Sequence, residues 1–154
     1  MASTDSFDLR ILDALQRDSA RTNADIGEKI GLSPSQVSRR RARLEEEGII
    51  RGYRADIDGA RLGFTLTVFI HVTLATHSRD NARRLRDLVR LTPAIQEAHA
   101  LTGEADYLLK VAVAGLKELS DLVNEVLLPH EAVERVRSEI ALETLKDSRE
   151  WPIG

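Results

Sequence analysis

The chain has no cysteine. That absence excludes a disulfide framework, a thiolate nucleophile and a zinc finger, and it suits a reducing cytoplasm. Aromatic residues make up only 4%, so the 42% hydrophobic share that allows a core is almost entirely aliphatic. No apolar run approaches the length of a membrane span, and the opening MASTDSFDLR lacks a basic n-region and an apolar h-region. The expectation is a soluble, cytoplasmic protein with no membrane partner. An excess of positive charge is also missing. The net charge of −3 argues against nucleic-acid binding by the whole surface, so any such contact must be local. No nucleophile elbow or paired-carboxylate pattern emerges, so no catalytic residue is expected. His71, His77, His99 and His130 include no pair at i, i+4, so neither a metal site nor a cofactor is expected. There is no internal repeat.

What is present begins with TNADIGEKIGLSPSQVSRRRARLEEEGII, Thr22 to Ile50. Gly31 supplies a residue that adopts positive φ at the end of one helix without a Cβ clash. Ser33 restarts the chain as an N-cap, Pro34 occupies the first helical position, and Gln36 completes a capping box. Thr22 and Asp25 announce the preceding helix in the same way, with Ile26 and Ile30 on one face. In the second helix Val37 and Leu44 share a face, leaving Gln36, Arg39, Arg40 and Arg43 directed to water. Ser33 to Leu44 holds four arginines and no acid. Arginines on a short, well-capped helix match major-groove docking, in which side chains near the N-terminus read base edges and guanidinium groups hold phosphates. A solvated face paired with the following Glu45, Glu46 and Glu47 is the plainer reading. The complete capping and the tight glycine turn favour double-stranded DNA. Thr22, Asn23, Ser33, Ser35, Gln36, Ser38, Arg39, Arg40 and Arg43 are the expected DNA residues.

Before this motif, Phe7, Ile11, Ala14 and Leu15 fall on helical spacing with Leu12 widening the stripe, and Asp5 is a plausible cap. This helix should pack over the other two, on a core of Phe7, Ile11, Leu15, Ile26, Ile30, Leu32, Val37, Leu44 and Ile50. After Gly48 the helical period ends, and IIRGYRADID reads as an extended connector. From Thr65 the period becomes two, with Leu66, Val68, Ile70, Val72 and Leu74 on one face and Phe69 and His71 on the other. Ser78 caps a helix with Ala82, Leu85, Leu88 and Val89 as its stripe. Strands over 95–102 and 107–113, a helix over 116–127 and a strand over 136–145 complete the order β-α-β-β-α-β. Both helices should cover one sheet face. The other face, with Phe69 and His71, reads as too apolar to stay wet, so sheet-to-sheet dimerisation is expected. The fold class is α+β, an N-terminal three-helix (winged) helix-turn-helix domain followed by a ferredoxin-like sandwich. The expected boundaries are 1–52 for the first domain, 53–64 for a linker and 65–154 for the second.

The stretches LRILDALQRDSARTNADIGEKIGLSPSQVSRRRARLEEEGIIRGYRADID, LTGEADYLLKVAV and IALETLK together resemble the leucine-responsive/asparagine-regulator (Lrp/AsnC) family of transcription regulators. The resemblance covers nearly the whole chain. It implies a DNA-binding domain joined to an effector-sensing domain, a small-molecule effector such as an amino acid, and homodimers that assemble further, often to octamers. It places the effector near the loop Gly103, Glu104, Ala105, Asp106 with Tyr107 following, and Ser138 matches a position where relatives offer a hydroxyl. Asp106 is suited to a ligand ammonium; a hairpin turn in which Gly103 and Asp106 serve geometry alone is the other reading. The sequence departs from the family pattern at Arg41, where relatives carry Val or Ile, and at Ala105, where many carry an aromatic residue. Either the Arg41 stem runs along the core edge toward Glu45 or the helix is rotated slightly, and the choice decides which arginines face DNA. Two competing functions share the architecture. A sirohaem-decarboxylase-like enzyme would use His71 and His99 toward propionates, and a nucleoid organiser would need no effector.

Overall fold

The computed structural model describes residues 4–153. They form two compact units, one running to Asp56 and taking in the chain from Lys146 onward, the other Ile57–Leu145. The C-terminal segment therefore belongs with the helical unit and not with the sandwich, contrary to the expected boundary. Its anchor is Gln16, whose Nε2 donates to the Trp151 carbonyl at 2.9 Å while its Oε1 accepts from the Trp151 N–H at 2.9 Å.

The first unit has three helices, α1 (Ser6–Arg17), α2 (Asn23–Ile30) and α3 (Pro34–Glu46). Each starts on a complete capping box, built by Asp5 with Asp8, Thr22 with Asp25, and Ser33 with Gln36. Ile11, Leu15, Ile26, Ile30, Val37 and Leu44 form the shared core. Leu32 and Ile50 pack at its edge, and Phe7 is half-buried. Among the described residues no strand lies between α3 and the sandwich.

The second unit runs β1 (Leu66–Leu74), α4 (Arg79–Leu91), β2 (Ile95–Ala100), β3 (Tyr107–Val113), α5 (Leu116–Asp121) and β4 (Val133–Ile140). After Asp121 the α5 helix widens into a π-helical turn over Leu122–Leu127. The sheet is antiparallel with order β2-β3-β1-β4, the split-βαβ arrangement that the element order implies. Val68, Ile70, Val72, Leu109, Val111 and Leu85 of α4 lie in one buried cluster. The last strand is shifted from the expected 136–145. It starts at Val133, which pairs with Leu74, and ends once the Ala141 N–H has bonded Thr67, because β1 offers no further residues beyond Leu66. The open face is also more polar than its sequence suggests. Phe69 lies between Glu139 and Lys110, and His71 between Arg137 and Leu108. Lys110 pairs with Glu97 at 3.0 Å and Arg137 with Glu139 at 3.3 Å.

Candidate functional site

The helix-turn-helix is set by two glycines. Gly31 has φ +76° and ends α2 in the left-handed conformation. The Gly27 carbonyl accepts both the Gly31 and Leu32 N–H groups, at 2.9 and 3.0 Å. A Cβ on Gly27 would stand 2.3 Å from the Leu32 carbonyl oxygen, closer than any side chain tolerates, so the turn requires glycine inside the helix as well as after it. Helix periodicity alone gives no sign of the Gly27 requirement, because an isolated glycine in a helical pattern only lowers its propensity.

The arginines of α3 divide into three kinds. Arg40 and Arg41 lie on the turn between the buried Val37 and Leu44, flanking the core seam. Arg40 Nη1 donates to Asp8 Oδ1 at 2.8 Å and to Asp5 Oδ2 at 2.7 Å, and its guanidinium rests over the Phe7 ring at 5.5 Å. Arg43 donates to the second Asp8 oxygen. Asp8 is fully buried. Burial pushes its carboxyl up, but the hydrogen bonds from Arg43, the Asp5 N–H and Arg40 outweigh it and hold the group down to about 2. Arg40 and Arg43 therefore do not simply face water as their helical positions suggest. A carboxylate taken out of water needs cationic partners, and these two supply them. Arg41 Nη1 donates to Asn23 Oδ1 at 2.8 Å, and its guanidinium stacks on the Tyr53 ring at 5.2 Å. It does not bond Glu45 itself. Tyr53 OH bridges them, accepting from Arg41 Nε at 3.3 Å and donating to Glu45 at 2.7 Å. Arg39 is exposed and makes no ion pair or hydrogen bond among the described residues.

The exposed stripe of α3 is Ser35, Ser38, Arg39 and Ala42. Gln36 borders it, with Oε1 accepting the Ser33 N–H at 2.9 Å and its amide donors left open. Thr22 and Ser33 serve mainly as caps, and Asn23 holds Arg41.

In the second unit, an open concavity of about 370 Å³ lies where β1 passes into α4. Leu74, Ala82, Ala100 and Leu101 line its apolar side, and His77, Ser78, Arg79, Asp106 and Tyr107 its polar side. Asp106 is pinned on three sides. Its N–H donates to the Val72 carbonyl at 3.0 Å, Oδ2 accepts the Leu74 N–H at 2.7 Å, and Oδ1 faces His77 Nδ1 at 3.2 Å. Ser78 Oγ caps α4 by accepting the Asn81 N–H at 3.1 Å. Of the residues expected here, Asp106 and Tyr107 line the hollow, while Gly103, Glu104 and Ala105 form the loop before them. Ser138 does not join them within one chain. It pairs with Ile70 on β4, at the far edge of the sheet from β2. In the sequence Ser78 reads only as a cap, and His77 and Arg79 have no role; their signal is their place on the β1–α4 crossover, beside the loop in the folded sheet.

Residues 4–51 match a model of winged helix-turn-helix DNA-binding domains, and residues 67–151 match a model of the Lrp/AsnC ligand binding domain. The chain belongs to the Lrp/AsnC family. It is 35% identical to a leucine-responsive regulatory protein of Rhizobium meliloti over 94% of this chain and 92% of the relative. It is also 35% identical to a glutamate uptake regulatory protein of Zymomonas mobilis, over 97% and 90%. A transcriptional regulator of Neisseria meningitidis, solved as an L-Met complex, superposes with a TM-score of 0.94 at 32% identity, covering 98% of this chain and 97% of that one. As an Lrp/AsnC protein the chain is a DNA-binding transcription regulator. The family's ligand-binding domain is the unit that contains the concavity. No helix among the described residues is long and apolar enough to cross a membrane.

Proposed function

We propose that this regulator answers to an α-amino acid with an apolar side chain, bound in the concavity around Asp106, and reads DNA through the outward stripe of α3. The observation that carries the effector reading is the composition of the hollow: one carboxylate, one guanidinium that makes no ion pair among the described residues, and an apolar wall line the same space. Asp106 Oδ1 takes the ligand ammonium in place of His77, and Arg79 takes the carboxylate, helped by the positive end of α4. Leu74, Ala82, Ala100 and Leu101 take the side chain. Gly103, Glu104 and Ala105 shape the rim, and Ser138 reaches an effector only from a neighbouring copy. The names of the Rhizobium relative and of the Neisseria complex support an apolar amino acid.

On DNA, Ser35, Gln36, Ser38 and Arg39 reach base edges, with Thr22, Asn23 and Ser33 beside the backbone. Arg40 and Arg43 act chiefly by fixing α3 on α1. Homodimers form through the open sheet face around Phe69 and assemble further, up to an octamer, in the cytoplasm.

The test is operator affinity across a panel of amino acids for the wild type, Asp106→Ala and Arg79→Ala, with sedimentation of each. The wild type should respond to one or more apolar amino acids by several-fold to about a hundredfold, a coupling of about 1–3 kcal/mol. Both variants should bind DNA normally and lose the response. An equal response in the variants would place the effector elsewhere, and a wild type that answers none would favour an organiser.

A further inference from the structure

Helix α4 carries a second cationic surface that the helix-turn-helix does not account for. Arg79, Arg83, Arg86 and Arg90 recur at i, i+4, i+7 and i+11, which puts all four on one side. That side is turned from Leu85, Leu88 and Val89, which pack on the sheet. All four arginines are exposed. Arg83 pairs only with its neighbour Asp80, at 3.3 Å, and among the described residues Arg79, Arg86 and Arg90 make no ion pair. Arg84, off the stripe, pairs with Glu131 at 2.6 Å.

Apart from the Asp80–Arg83 pair, these arginines do little for the helix. Like charges at i, i+4 and i, i+3 weaken it, and Arg79 sits in the first turn, where the helix dipole disfavours a cation. Only Arg90, in the last turn, suits its position. The chain as a whole is acidic, with a net charge of −3, yet the stripe sets four exposed arginines against only Asp80 and Asp87 beside them on the same helix. It spans about 16 Å along the helix, at 1.5 Å per residue, and it is built wholly of arginine, whose planar fork matches phosphate oxygens. A membrane surface fits less well, because an interfacial helix must insert its apolar face and the apolar face of α4 is buried against the sheet. The helix-turn-helix already brings a phosphate backbone to this molecule and raises its effective concentration for any second cationic site.

We infer that Arg83, Arg86 and Arg90 of α4 form a second, sequence-independent contact for the DNA backbone, engaged by duplex beyond the segment held by α3. Arg79 continues the stripe but also lines the effector concavity, so it is left out of the test. The experiment uses the full chain with random-sequence duplexes of about 20 and about 200 base pairs, measuring log affinity against log salt. The wild type should show a steeper slope on the long duplex. R83Q/R86Q/R90Q should lose the added steepness, by up to roughly 0.9 for each phosphate contact removed, and keep wild-type affinity for the short duplex. R83K/R86K/R90K, which retains the charges, should restore most of it, and single R86Q and R90Q variants should each lose a part. A triple Gln variant that keeps the wild-type slope on long DNA overturns the inference. So does one whose only change is its sedimentation, which would assign the stripe to a second copy, or its flotation with phosphatidylserine vesicles, which would assign it to lipid.

Discussion

Two helices carry half of the arginine in this chain, and they use it in opposite ways. In α3, Arg40 and Arg43 close on the buried Asp8, and Arg41 is held by Asn23 and Tyr53. In α4, the arginines of the outer stripe stand in water with at most a neighbouring aspartate. The two runs look alike in sequence. What separates them is whether a packed helix places a carboxylate under the run, since a buried acid claims its cations before any ligand does. The richest run of positive charge is therefore not the richest in available charge, and among the described residues the exposed cation of α3 without a partner is Arg39.

The comparison breaks most violently if α3 loses its seat while keeping its arginines. Gly27→Ala drives a Cβ against the Leu32 carbonyl, and we expect a cost of roughly 3 kcal/mol or more from overpacking against backbone. The urea midpoint of the helical unit should fall steeply and specific DNA binding should be lost with it. An unaltered midpoint would mean that the α2–α3 turn relaxes freely.

A smaller change tests the clamp directly. Asp8→Asn keeps the shape but removes the charge, and it should destabilise the helical unit by roughly 2 kcal/mol, the scale of a charge-assisted bond to a buried group. The same residue predicts a pH dependence. Its carboxyl lies at about 2 in the fold against an ordinary 3.8. A lowered value means that its stabilisation is complete above the ordinary value and is lost as pH falls through the folded one. Wild-type stability should therefore decline between about pH 5 and pH 2, and Asp8→Asn should lack that part of the decline. Parallel pH curves for the two proteins would show that the clamp contributes no charge-dependent stability.

The finest test compares arginines within α3. Arg39→Ala should weaken the cognate site by about 1–3 kcal/mol and relax base preference if it makes a bidentate contact. Arg43→Ala should leave base preference intact and lower thermal stability instead. If Arg43→Ala chiefly flattens the salt dependence on all DNA, its guanidinium trades Asp8 for phosphate and the contrast between α3 and α4 narrows.

Much of the fold was legible because its signals are local. The Thr22 and Ser33 capping boxes, the Gly31 turn and the alternation from Leu66 to Leu74 each depend on neighbours a few residues away. The Asp5 cap is of the same kind, yet its partner Asp8 looks in sequence like any first-turn acid. That it is buried beneath Arg40 and Arg43 depends on contacts more than thirty residues apart. The concavity was half legible. The loop before Tyr107 was visible as a turn, but His77 and Arg79 come to it only because β3 pairs beside β1.

By itself, then, the sequence determined where each helix and most strands begin, which faces are apolar, and that the order is three helices followed by a split βαβ sandwich. Hydrophobic period and capping chemistry act over one or two turns, so they can be read along the chain. Only the tertiary structure decided the end of β4, the return of the Trp151 segment to Gln16, the loss of Arg40 and Arg43 to Asp8, and the freedom of the α4 stripe. Each depends on which charged or backbone groups meet across long sequence separations, and pairing of that kind is fixed by packing.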